Sequence, residues 1–319
     1  MELYIEKEFL DDFFIDYNDN NLIQKTVKQI FEDYGDKSIF INAMENSFED
    51  FEKLKEENPF FASICNNNMS PIFKEINWEL IKKSNFNQTL IFTNKPYDWF
   101  KDAEEKGALC FSYDSYESGI DNIIKNLHFK IDLSEGFKGW GFLDKMNQIN
   151  YNYLTITDGY ILKDEKKMRY NIFQILNKLT LSHNIYLDIL TKELKPDHPK
   201  DGEKRKAKAK ERYNAINDKY NSKIKNIRII MSEGLINEEG FNFHDRIIQT
   251  NFSLMDCGKG FDDLKINKIS NSQIISETIF DKYTYDRLRR HKSYQTKYIN
   301  GLIDSKAGKN FKMFPLIDS

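Results

Sequence analysis

With 319 residues, 40% of them hydrophobic, 30% charged and only six prolines, the chain has material for about two packed domains and is neither disordered nor collagen-like. Its formal net charge of −3 hides an imbalance: residues 1–150 carry 28 acidic and 16 basic side chains, whereas residues 151–319 carry 22 acidic and 31 basic ones, including all eight arginines. Such asymmetry points to two modules with any polyanion contact carried by the second; drift in a Lys- and Asn-rich composition accounts for it equally well.

The first part alternates strand-like and helix-like segments. Glu2–Ile5 reads as a short strand. Gln24–Tyr34 has Val27, Ile30, Phe31 and Tyr34 at helical spacing, with Gly35 as a stop. Ser38–Ile41 is a second strand, and Ser47, with an acid three residues on, opens a helix running through Leu54. Leu90–Thr93 and Ala108–Ser112 are further strands, and Gly119–Asn126 is helical. This alternation predicts a layered α/β module with a largely parallel sheet, ending at the two glycines of Phe137-Lys-Gly-Trp-Gly141.

The second part begins with Tyr153–Thr157, a strand closed by Asp158-Gly159. Ile172–Leu181 has a helix-period apolar stripe, Ile185–Thr191 is a strand, and Lys200–Lys225 is a long charged helix with seven basic and three acidic residues up to Arg212. Tyr213 and Tyr220 would pack that helix onto the body. Ile227–Met231 is a strand, Phe241–Leu254 is two strands or one bent one, and Asp281–Ile299 is a basic helix.

No run approaches the ~20 apolar residues of a membrane span. The acidic N-terminus lacks the features of a signal peptide. Cys65, Cys110 and Cys257 lie far apart without a C-x-x-C, so a disulfide framework or zinc knuckle is not expected and a reducing cytoplasm is. No Walker loop, G-x-G-x-x-G, G-x-S-x-G or H-E-x-x-H occurs, and no cofactor or metal is expected.

The segment richest in chemistry is Phe243-His-Asp-Arg-Ile-Ile-Gln-Thr-Asn251, where His244, Arg246 and Asn251 stand as H-x-R-x4-N. It resembles a degraded form of the H-x-K-x4-D motif of the phospholipase D superfamily. The preceding Ile156–Tyr160, Asn171–Leu181 and Tyr186–Thr191 match the strand–helix–strand order that the resemblance implies. The following Met255-Asp-Cys-Gly-Lys-Gly-Phe-Asp262 matches its glycine-containing phosphate loop. The likeness covers about residues 150–315. It is strongest to the single-motif branch that includes the C-terminal domain of MIT-domain proteins and many bacterial defence-island proteins. In that superfamily a histidine attacks phosphorus. Arg246 still suits phosphate, but Asn251 cannot charge-stabilise an imidazolium as aspartate does, which shifts the expectation from hydrolysis toward recognition. The bland alternative is a satisfied polar cluster of His244, Asp245 and Arg246.

A second match, His128-Phe-Lys-Ile-Asp-Leu-Ser-Glu135, reads H-x-K-x4-E and would make the chain a two-motif enzyme; it lacks a convincing preceding repeat. The N-terminal part weakly resembles a PIN-like nuclease fold through Leu3–Phe13 and Leu90-Ile-Phe-Thr-Asn-Lys95. Lys95 stands where that family has an acid. Glu6 and Asp98 are the remaining candidate ligands, against a solvated acidic face.

The expected architecture is therefore α/β in two modules: an acidic PIN-like or Rossmann-like domain over 1–145, and a basic phospholipase D-like domain over 146–319 with a charged helical insertion at about 198–226. The expected function is a prokaryotic conflict protein in antiviral defence that recognises nucleic acid or another phosphodiester. The site residues are His244, Arg246 and Asn251, with Lys259, Lys204, Arg205, Lys208, Arg212, Arg289 and Arg290 as ligand-binding cations. The alternatives are a phosphodiesterase-type nuclease with a histidine nucleophile, and an inactive adaptor that binds a protein partner or a second copy of itself.

Overall fold

The structure is a computed structural model that describes residues 1–42, 48–66, 71–179, 181–182, 184–192, 202–232, 246–258, 261, 264–304 and 311–314. The chain forms two compact units. The first comprises residues 1–125, 150–152 and 278–285, and the second comprises residues 126–149, 153–277 and 286–319.

In the first unit, β1 (Glu2–Glu6), β2 (Ser38–Asn42), β3 (Ile72–Phe73), β4 (Thr89–Thr93) and β5 (Ala108–Ser112) form one sheet in the order β3-β2-β1-β4-β5, every neighbouring pair parallel. The continuous apolar run of β4 is buried along its whole length, as a central strand covered on both faces requires. Tyr4 and Ile91 face one layer with Ile76, Ile81, Phe86 and Ala103. On the other face Phe9, Phe13, Phe31 and Phe92 interlock at tilted and edge-on angles. The helix Leu22–Asp33 starts where Asn21 accepts from the amides of Ile23 and Gln24. Strand order reverses between β1 and β4, which puts a crevice at their carboxyl ends.

The second unit is built on an eight-stranded mixed sheet. Its strands are β6 (Phe129–Asp132), β7 (Tyr153–Thr157), β8 (Tyr186–Lys192), β9 (Asn226–Ser232), β10 (Ile247–Thr250), β11 (Ser253–Asp256), β12 (Gln273–Thr278) and β13 (Phe311–Phe314), in the order β13-β9-β8-β7-β10-β11-β12-β6. β7, β8 and β9 run parallel, and β10 enters antiparallel to β7. The chain between β7 and β8 forms two helices, Glu165–Tyr170 and Ile172–Lys178, rather than one over Ile172–Leu181. The first starts at Asp164, whose carboxylate accepts from the Lys167 amide; an apolar stripe alone does not reveal it.

Two boundaries differ from the sequence reading. Phe129–Asp132 pairs with β12, so the units divide near residue 125 instead of 145. Phe137-Lys-Gly-Trp-Gly141 does not end the first unit. Phe137 bridges Ile266, and Trp140 packs on Phe261 with ring centroids 5.6 Å apart, anchoring the segment in the second. The helix expected over 200–225 spans Gly202–Tyr220, and the expected basic C-terminal helix spans Lys282–Asp304. Ser47, expected as an N-cap, lies outside the described residues.

Candidate functional site

The register of the second sheet assembles a row of side chains at the carboxyl ends of β7 and β8. Thr157 of β7 lies opposite Leu190 of β8 and Ile247 of β10. One step further the Asp158 amide donates to Leu190 O, and the Cys257 amide donates to Arg246 O. Thr191, Asp158, Arg246 and Cys257 therefore share one level and one face across four neighbouring strands.

Asp158 is buried. Its Oδ1 accepts from the Tyr160 amide at 2.6 Å and its Oδ2 from the Phe261 amide at 3.4 Å. Arg246 Nε lies 3.4 Å from that second oxygen without making a hydrogen bond, and the arginine side chain is 17% exposed. Its Nη1 donates weakly to Gly258 O at 3.5 Å. Among the described residues its Nη2 has no hydrogen bond. Thr191 Oγ1 is buried and unpartnered, a condition that native proteins rarely leave unexplained. The row thus holds a guanidinium tethered by a buried carboxylate, with one edge uncommitted among the described residues, and on the other side of that carboxylate a hydroxyl lacking a partner. Both groups suit an oxyanion. Burial, helped by Asp256 and Asp158, pushes the Cys257 thiol up, so it is no nucleophile at neutral pH.

The opposite face of the same strands carries a second polar group that the sequence reading missed. Asp188 of β8 is 1% exposed and sits beside Thr155 of β7 and Arg228 of β9. Arg228 grips it through Nε at 2.6 Å and Nη2 at 2.7 Å, and Tyr153 OH adds a third bond at 2.9 Å. Tyr153 OH also lies 3.4 Å from Oε1 of buried Gln295, and Lys292 Nζ stands 5.6 Å from the Tyr153 ring centroid. The helix Lys282–Asp304 therefore covers this face. On it, burial together with Arg287 and Arg290 pushes His291 down to about 4 against a pull upward from Asp256. The available signal was one charge inside each of two apolar strands, Leu-Asp-Ile and Ile-Arg-Ile, which burial demands be paired.

The structure separates several residues that the sequence grouped. Asn251 lies past the far end of β10, buried, and its Oδ1 accepts from the Tyr153 amide at 2.9 Å; it does not meet Arg246. Arg212, expected on a solvent-facing cationic surface, is 8% exposed and lies 3.3 Å from Glu211. The reason is helical spacing, which puts it on the buried stripe of Ala209, Ile216 and Tyr220. Tyr220 does pack that helix down, its hydroxyl donating to Asn177 at 2.8 Å. Lys208 and Arg289 are half-buried; Arg290 is exposed and donates to Asp286 O at 3.3 Å. Lys204 and Arg205 fall in the same helix as Arg212. His244 and Lys259 lie outside the described residues. His128 is exposed at the start of edge strand β6, with β12 and β11 between it and β10, so the H-x-K-x4-E segment does not face Arg246 as a second motif.

In the first unit, Glu6 ends β1 at the crevice and is buried, not part of a solvated face. Its two oxygens accept from the Asn94 amide at 2.7 Å and Tyr97 OH at 2.5 Å. The bond it donates to Glu6, with burial, pushes the Tyr97 hydroxyl up to about 12. Asp98 is exposed. Among the described residues no three His, Cys, Asp or Glu side chains are placed to share a metal ion, and no described helix is long and apolar enough to cross a membrane. Compared with known proteins, the chain matches no family model and no curated sequence.

Proposed function

We propose that the second unit recognises a phosphodiester backbone, with Arg246 as the group that holds the anion, in a prokaryotic conflict protein acting in antiviral defence. The defence setting rests on the resemblance to single-motif phospholipase D-like proteins of defence islands. Recognition rests on one observation: Arg246 is tethered by buried Asp158 with an edge uncommitted among the described residues, level with the partnerless Thr191 hydroxyl. A phosphate oxygen there gains a charge-assisted bond from the guanidinium, and the hydroxyl gains the partner it lacks. His244 and Lys259 are near Arg246 and Gly258 in sequence and lie outside the described residues. Asn251, committed to the Tyr153 amide, supports recognition over turnover, because a histidine nucleophile needs an acidic partner to orient it.

The test is filter binding to single- and double-stranded DNA and RNA across a salt series. Affinity is expected to fall linearly on a log–log plot against salt, as counterion release requires. Arg246→Ala is expected to lose about tenfold or more, the order of one charge-assisted hydrogen bond. No binding to any polymer, or equal binding by the variant, overturns the proposal.

A further inference from the structure

The chain that leaves β7 runs from the carboxylate beside Arg246 directly into a short, tightly fixed loop. Asp158 accepts from the Tyr160 amide through Oδ1 at 2.6 Å, and its Oδ2 lies 3.4 Å from Arg246 Nε. One carboxylate, through its two oxygens, thus locates both the arginine and the backbone that carries the Tyr160 side chain. The loop closes where the Lys163 amide donates to Tyr160 O at 3.0 Å. Ile161 and Leu162, at 1% and 0% exposure, are sunk in the core. These two anchors and the two local hydrogen bonds leave the loop little freedom.

Tyr160 differs from its neighbours in being 37% exposed, although an aromatic ring gains most from burial. A lone exposed aromatic is ordinary on a protein surface. What sets this one apart is its root on the same carboxylate as the anion-holding arginine. Its surroundings are basic. Lys167 Nζ stands 5.9 Å from the ring centroid, and Lys163 and Lys166 are exposed on the same segment. The acids between them are engaged locally: Asp164 accepts from the Lys167 amide at 2.8 Å, and Glu165 pairs with Arg169. An aromatic face among cations, next to a guanidinium, is the combination that takes a base together with its phosphate backbone.

We infer that Tyr160 is a stacking platform for a nucleobase of the strand held at Arg246, so that the ligand is single-stranded nucleic acid. The inference rests on the reading of Arg246 as the phosphate holder. In a duplex the bases are paired and stacked on one another, and one reaches a protein ring only after being unstacked and unpaired. A free strand offers its bases without that cost. Every base has a π-face, so the platform reads no sequence.

The experiment is fluorescence anisotropy of the full chain with three labelled probes: a mixed-sequence single strand, an abasic strand of equal length and charge, and the same sequence as a duplex. Wild type, Tyr160→Leu, Tyr160→Trp and Arg246→Ala are compared. Wild type is expected to prefer the intact single strand about tenfold over the abasic one, the order of stacking one base, and to prefer it over the duplex as well. Tyr160→Leu, a change at an exposed position, is expected to abolish that preference. Its affinity for the abasic strand and the salt dependence stay as in wild type, because no charge is removed. Tyr160→Trp keeps the preference, and Arg246→Ala weakens binding of all three probes. A preference that survives in Tyr160→Leu, or is lost in Tyr160→Trp as well, ends the platform; so does an equal loss for all three probes in Tyr160→Leu. Equal affinity of wild type for the three probes, with all three weakened in Arg246→Ala, ends the single-strand assignment and leaves Arg246 as phosphate holder. Absence of binding to any probe ends the reading of Arg246 itself.

Discussion

Two aspartate–arginine pairs occupy opposite faces of the same sheet, three residues apart along β7 and β8. Asp188 and Arg228 form a closed pair, with two short bonds and a third from Tyr153. Asp158 and Arg246 form an open one. Their nearest approach is 3.4 Å without hydrogen-bond geometry, and the carboxylate takes its bonds from the backbone of Tyr160 and Phe261. Identical residue types thus do different work. In the closed pair the arginine's bonding capacity goes to the carboxylate, and the pair completes the interior. In the open pair the carboxylate offsets the charge and locates it, but leaves donors for something else. A half-committed arginine in a mostly buried row is an unfavourable arrangement for stability alone, and that makes it the more informative of the two.

The largest effect that separates the pairs is expected from Arg228→Ala. It strands Asp188 at 1% exposure, and breaking such a pair costs about 3–5 kcal/mol. Urea denaturation should show that loss while nucleic-acid affinity per folded molecule stays unchanged. Arg246→Ala should give the reverse pattern, a smaller stability loss of about 1–2 kcal/mol with the affinity lost. Equal destabilisation by both changes would erase the distinction.

Next in size is the pH dependence of the closed face. His291 is pushed down to about 4 by burial and by Arg287 and Arg290, against about 6.5 in the unfolded chain. The unfolded state therefore binds more protons between these values, and stability rises with pH there. The contribution is whole above about pH 6.5 and is lost progressively as pH falls toward 4, amounting to about 3 kcal/mol. The denaturation midpoint should fall more steeply over this range in wild type than in His291→Gln. Parallel pH profiles would mean that the helix Lys282–Asp304 does not keep that face dry.

The smallest effect sharpens the open face. Thr191→Val keeps the shape and removes a buried hydroxyl that has no partner. It is expected to leave stability unchanged or raise it by about 1 kcal/mol, while weakening nucleic-acid binding several-fold. A clear loss of stability would show that the hydroxyl already serves the fold.

Much of the secondary structure is legible along the chain because its signals are local. Leu90–Thr93, Ala108–Ser112 and Tyr153–Thr157 read as apolar or alternating runs and are strands within a residue of the expected bounds. Gln24–Tyr34 carries its stripe and, just upstream, the Asn21 cap. The reading fails where an element's role depends on distant chain. The strand Phe129–Asp132 closes on β12, more than a hundred residues later, and no local feature assigns it to the second unit. Arg212 reads as one of seven cations in a charged run, and only the turn-by-turn position of Ala209, Ile216 and Tyr220 shows that it faces inward.

The motif H-x-R-x4-N was legible as a pattern, but its arginine and asparagine part company in space. Arg246 precedes β10 and Asn251 follows it, so the strand itself keeps them apart. The partners that Arg246 acquires, Asp158 and Gly258, come from the ends of β7 and β11. Asp158-Gly159 was noticed as a strand terminator, and its carboxylate role depends on β10 lying against β7 in this register.

By itself the sequence determined the α/β class, many of the strands and helices, and the basic character of the second half, all of which follow from hydrophobic period, turn chemistry and charge. Which arginines are closed, which is open and which is buried was decided only by tertiary structure. Side chains alternate faces at every strand residue, so a shift of one residue in the register of β10 would turn Arg246 to the face that holds Asp188. That register is set by pairing among strands drawn from distant parts of the chain.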